Sequence, residues 1–145
     1  MCDRSTELRK ESPGDVAASP AVVRVLIVDD QQPFRAAARA VVDRVAGFEL
    51  VAEVDSGEDA VALCATSAPD LVLMDINMGA LDGIEATRLI TAADPAIKVI
   101  LVSTYGLDDL PPNARTSGAI AYVNKDELSP KVVRRLWESR DDPTW

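Results

Sequence analysis

Histidine is absent from the 145 residues. That removes the commonest general base, the commonest metal ligand and any phosphohistidine carrier within the chain. Cysteine is scarce, with Cys2 in an expected tail and Cys64 in an expected helix. Such placement argues against a disulfide framework and suits a reducing, cytoplasmic setting. Basic residues are in the minority, 15 Lys and Arg against 24 Asp and Glu, for a net charge of −9. A surface of that sign repels nucleic acid and anionic membrane, so direct contact with either is not expected. No apolar stretch approaches membrane-spanning length, and no signal-peptide core is evident. The length suits a single domain able to bury most of the surface its unfolded chain exposes.

What is present is a set of four short apolar runs, each ending on a polar side chain. Val22-Val23-Arg24-Val25-Leu26-Ile27-Val28 stops at Asp29-Asp30, and Leu71-Val72-Leu73-Met74 stops at Asp75. Val99-Ile100-Leu101-Val102 stops at Ser103-Thr104, and Ile120-Ala121-Tyr122-Val123 stops at Asn124-Lys125. Near-continuous aliphatic runs mark strands buried on both faces of a parallel sheet. Phe48 to Val54 reads as a further strand.

Helical patterns fall between the strands. Pro33 suits an early helical position, and Phe34, Ala37, Ala38, Val41, Val42 and Val45 follow as a core-facing stripe closed near Gly47. Ser56 and Asp59 resemble a capping box opening a helix through Ser67. Asp82-Gly83 starts another, with Ile84, Leu89 and Ile90 apolar, ending near Asp94-Pro95. Ser129-Pro130 caps the last helix, whose apolar edge is Val132, Val133, Leu136 and Trp137. Gly106 to Gly118 breaks the pattern, because Pro111-Pro112 removes two backbone donors; a helix starting at the prolines and lasting about two turns is expected. Alternation of this kind with short right-handed crossovers predicts a doubly wound α/β domain. Its expected bounds are residues 21–140, between a flexible tail at 1–20 and a C-terminal tail at 141–145 that includes Trp145.

Open parallel sheets bind ligands beyond the carboxyl ends of their strands. Asp29, Asp30 and Asp75 therefore share one site, with Ser103 and Lys125 at neighbouring tips. Two unit charges about 4 Å apart cost roughly 4 kcal/mol at an effective dielectric near 20. Three carboxylates need a cation or a raised pKa, and all-oxygen ligation favours Mg²⁺ or Mn²⁺ over zinc. With a lysine and a hydroxyl added, the set forms a receptor for a phosphoryl group on an aspartate.

These residues carry a resemblance. The Asp29-Asp30 pair, the stretch Met74-Asp75-Ile76-Asn77-Met78-Gly79-Ala80-Leu81-Asp82-Gly83, Ser103, Tyr122 and Lys125 resemble, in order and spacing, a receiver domain of the two-component response-regulator family. Lys125-Asp126 is similar to the subfamily that usually carries a helix-turn-helix output domain. The resemblance implies a (βα)5 flavodoxin-like three-layer sandwich around a central parallel five-stranded sheet, with a short or irregular fourth helix. Asp75 would take a phosphoryl group from a partner's phosphohistidine. Asp29, Asp30, Asp75 and the Asn77 backbone carbonyl would hold Mg²⁺, and Lys125 would pair with the phosphoryl oxygens. Ser103 would hydrogen-bond the phosphoryl group, and Tyr122 would follow inward as a switch. The implied partners are a sensor histidine kinase or phosphotransfer protein and an unknown downstream protein; a homodimer is left open, since the family's usual dimer face contains the Pro111-Pro112 segment.

The expectation is thus a phosphorelay switch without an output domain, not a turnover enzyme. Aspartyl-phosphate phosphatases use Asp-x-Asp where this chain has Asp29-Asp30-Gln31. Departures from the family pattern fall at Gly79, in a position commonly proline, at Thr104, in a position commonly smaller, and at Pro111-Pro112. They leave open an alternative, an adaptor that keeps the fold and signals without phosphate.

Overall fold

In the computed structural model the described residues are 22–143 and Trp145, so Cys2 and the tail expected at 1–20 lie outside them. Strands β1 (Val23–Val28), β2 (Phe48–Val54), β3 (Leu71–Asp75), β4 (Lys98–Ser103) and β5 (Ala121–Asn124) alternate with helices. The helices are α1 (Gln32–Asp43), α2 (Gly57–Ser67), α3 (Gly83–Ala93) and α4 (Pro130–Glu138). All strand pairs are parallel, in the order β2-β1-β3-β4-β5.

The unbroken apolar runs have a direct cause in this sheet. Successive side chains point to opposite faces, and both faces are covered. Leu26, Val28, Val72, Met74, Val99 and Leu101 pack with α2 and α3 residues such as Ala60, Cys64 and Ile90. Val25, Ile27, Leu71, Leu73, Ile100 and Val102 pack with Ala38 and Val42 of α1 and Val133 of α4. The result is the doubly wound three-layer architecture that the alternation predicts. No helix among the described residues is long and apolar enough to cross a membrane.

Three helices have their N-cap hydrogen bond, although at Ser56 only the N-cap half of the expected capping box is present. The Ser56 hydroxyl accepts from the Asp59 N–H at 3.1 Å, and the Asp82 carboxylate accepts from Glu85 N–H at 2.8 Å. Ser129 accepts from Val132 N–H at 3.2 Å ahead of Pro130. One stripe residue is corrected. Ala37 of α1 is exposed while Ala38, Val42 and Val45 are buried. Leu89 of α3 is exposed too, because Ile84, Thr87 and Ile90 recur every three residues on the core face and Leu89 projects away from it.

No α-helix forms between β4 and β5. Two single 3₁₀ turns, Leu107–Asp109 and Pro112–Ala114, replace the two-turn helix expected there. The cause is local: Leu110 and Pro111 each precede a proline, and both are extended, with ψ of 137° and 141°. Trp145, expected in a tail, is half-buried against the α2–α3 side of the core.

Candidate functional site at the strand tips

Strand register levels the tips. Val28 pairs with Met74, so Asp29 and Asp75 follow side by side, and Asp75 in turn lies beside Val102 of β4. Ser103, next along β4, pairs with Asn124 of β5, which places Lys125 one residue beyond. One carboxylate oxygen from each of Asp29, Asp30 and Asp75 lies within 4.8 Å of the others. Asp29 and Asp75 are buried, whereas Asp30 is exposed.

Lys125 is the cation of this group. Its Nζ lies 2.7 Å from Asp29 Oδ2 and 3.6 Å from Asp75 Oδ1. The Asp29 oxygen meets the ammonium by proximity without a well-directed hydrogen bond, and it is buried. The other Asp29 oxygen accepts from the Gln31 N–H at 2.7 Å. Burial pushes the Asp75 carboxyl up to about 6, with Asp29 adding to the rise, Lys125 opposing it, Asp30 adding a little and the Asn77 N–H opposing. A carboxylate so placed holds its charge at a cost that an added cation would relieve.

The other predicted residues lie around this centre. Ser103 is buried at the end of β4. Tyr122 is half-buried, and its hydroxyl lies within hydrogen-bonding distance of the Ser103 carbonyl, at 3.1 Å, and of the Tyr105 carbonyl. Asn77 is exposed, and its side-chain oxygen accepts from the Tyr105 hydroxyl at 3.2 Å. Thr104 and Gly79 are exposed at the rim.

Four residues of the neighbourhood have roles that the sequence reading did not give them. The Phe34 ring lies 4.4 Å below the Lys125 ammonium, although its spacing marked it only as part of the α1 stripe. Its place in the first turn after the acidic pair was the available signal. Tyr105 and Asn124 clasp the loops, since Asn124 Nδ2 donates to the Tyr105 carbonyl at 3.1 Å. Gly83 is needed for space: a Cβ there would lie 1.9 Å from the Asp75 carbonyl oxygen.

The profile of the response regulator receiver domain matches residues 25–136. The chain belongs to the response regulator receiver family. This receiver is 37% identical over 115 residues to the response regulator UvrY of Escherichia coli K12, covering 79% of this chain and 53% of that protein. Identity to the response regulator GacA of Pseudomonas aeruginosa is 35% over 115 residues, 79% of this chain and 54% of that one. The receiver thus spans about half the length of these curated relatives. Among solved structures, a DNA-binding response regulator of the LuxR family from Staphylococcus aureus aligns with a TM-score of 0.73 at 28% identity, covering 82% of this chain and 99% of that one. The signal receiver domain of the response regulator NarL from Mycobacterium tuberculosis shares the fold, with a TM-score of 0.76 at 24% identity over 85% and 99% of the two chains.

Proposed function

We propose that this receiver is a phosphorylation switch in which Asp75 is the phosphoacceptor. The supporting observation is the charge arrangement: a buried Asp75 beside Asp29, with the Lys125 ammonium 3.6 Å from one Asp75 oxygen, in a chain of the receiver family. A carboxylate oxygen of Asp75 attacks the phosphorus of a phosphohistidine on a sensor histidine kinase or phosphotransfer protein. The P–O bond forms as the P–N bond breaks, and the departing imidazole nitrogen takes up a proton. Lys125 pairs with the phosphoryl oxygens, and the Ser103 hydroxyl turns to hydrogen-bond them. Tyr122, bonded to the Ser103 carbonyl, then changes the face beside β5 on which a downstream protein reads the state. The reading is a switch working in the cytoplasm, without turnover of a diffusible substrate.

The donor set fits a divalent cation. Three carboxylates converge within 4.8 Å, and the buried Asp29 Oδ2 has no hydrogen bond. Asp29, Asp30, Asp75 and the backbone carbonyl of Asn77 would hold Mg²⁺ (or Mn²⁺). Such an ion, when bound, supplies charge neutralisation for the carboxylates and the incoming phosphoryl oxygens.

Acetyl phosphate with Mg²⁺ tests the reading. Intact mass should show one adduct of about 80 Da on the wild type and none on Asp75→Asn. An unmodified wild type sinks the phosphoacceptor role. It would favour the second reading, an adaptor that binds partners without phosphate, for which the two 3₁₀ turns in place of a fourth helix are the relevant observation.

A further inference from the structure

The face left bare by the missing helix is not empty. Helix α4 packs through Val133 on the α1 side of the sheet, whereas Trp145, a few residues beyond its end, packs on the α2–α3 side. The two therefore lie on opposite faces of the sheet, with Trp145 near the start of β5, the edge strand. It leaves α4 at a fixed point, because the Arg140 guanidinium covers the Trp137 ring at 4.1 Å and donates to the Trp137 carbonyl at 2.8 Å. Asp141 and Asp142 follow, both exposed.

Three contacts of different kinds receive the Trp145 side chain. Its indole N–H donates to the carbonyl of Ala119, just ahead of β5, at 3.1 Å. The Arg115 guanidinium lies 5.3 Å over the ring, within the range of cation–π attraction. The ring packs on the apolar cluster that contains Ala114 and Ala119. Arg115 and Ala114 belong to the segment that two prolines keep from becoming a helix.

We propose that this is a docking site for a tryptophan-bearing segment, filled in cis by the C-terminal strap that carries Trp145. The pocket selects an aromatic ring with an N–H donor for the Ala119 carbonyl and a π-face for Arg115. While the strap is seated, a partner segment of this chemistry is excluded; when the strap leaves, the same site is open to it. The site stands apart from the chemistry at Asp75, so its test does not depend on phosphorylation.

A peptide of residues 139–145, added to the ¹⁵N-labelled full chain, separates the outcomes. A short tether holds the strap at an effective concentration of millimolar order, so the peptide should need roughly tenfold more to saturate the wild type than Trp145→Ala. The amide shifts should map to Ala114, Arg115 and Ala119, and a peptide with alanine in place of its tryptophan should cause none. Equal titration of both chains, or no saturable shifts in Trp145→Ala, overturns the proposal. Arg115→Gln, a change at an exposed side chain, is the second arm should Trp145→Ala fail to fold. Acrylamide quenching of tryptophan emission should rise above wild type in that variant, and unchanged quenching overturns the seated strap.

Discussion

Asp75 sets the electrostatics of the site. Its carboxyl, at about 6, titrates above that of an unfolded aspartate because burial and Asp29 outweigh Lys125. Between about pH 4 and 6 the folded state holds a proton that the unfolded chain releases, so this group's contribution to stability falls as pH rises through that window. Above it, the ionised carboxylate costs on the order of 2 kcal/mol. Asp75→Asn should therefore gain about that amount at pH 7.5 without divalent ions, and nothing at pH 4. Urea unfolding at the two pH values checks this; equal gains at both would refute it. Two glycines should respond oppositely to alanine. At Gly83 a Cβ would meet the Asp75 carbonyl oxygen at 1.9 Å, and the forced shift should cost about 2 kcal/mol and depress phosphoryl uptake. At Gly79 a Cβ would meet nothing within 4 Å, so alanine should stabilise by about 0.5 kcal/mol through the unfolded chain. Both are read from urea midpoints. Asp29, Asp30, Asp75 and Lys125 were legible from sequence because each lies within two residues of the end of an apolar run. Phe34 and Gly83 were not, because their roles depend on what packs opposite them.

At the scale of elements, strands and caps follow from local chemistry. Ser56, Asp82 and Ser129 each satisfy an N–H three residues on, a bond the chain can make before any tertiary contact. The prolines act in the same local way, and Leu110 and Pro111 are extended as X–Pro sterics require. Their expected helix dwindled to two 3₁₀ turns because a single turn leaves too few backbone bonds to propagate. Amides of residues 107–117 should accordingly exchange with deuterium orders of magnitude faster than those of Val61–Ala65 inside α2. Hydrogen-exchange mass spectrometry reads this directly, and comparable protection in the two segments would contradict it. The position of Ala37 was misread because an apolar residue near a stripe need not lie on it. Only the packed sheet decides where the stripe's edge falls.

For the molecule as a whole, the three clustered carboxylates link folding to cation binding. A ligand that binds only the folded state stabilises it by mass action, by about 1.4 kcal/mol when present at ten times its dissociation constant. Added Mg²⁺ should raise the thermal midpoint of the wild type, and EDTA should reverse the rise. Asp30→Asn should lose most of that response while folding normally, because Asp30 is exposed and Asp29 and Asp75 carry the buried contacts. A midpoint indifferent to Mg²⁺ in the wild type would remove the cation from the proposed function. The net charge of −9 acts in the same direction, since bound cations reduce self-repulsion.

The sequence by itself determined the parallel strands, the caps, the interruption at Pro111-Pro112 and the polar residue at each strand tip. These depend on hydrophobic period, backbone sterics and hydrogen bonds within a few residues. Tertiary structure alone decided that Val28 pairs with Met74, that Lys125 lies on Phe34 between two aspartates, and that Trp145 reaches Ala119. Each of those joins residues far apart in the chain, and their meeting is set by strand register and by which face a helix covers.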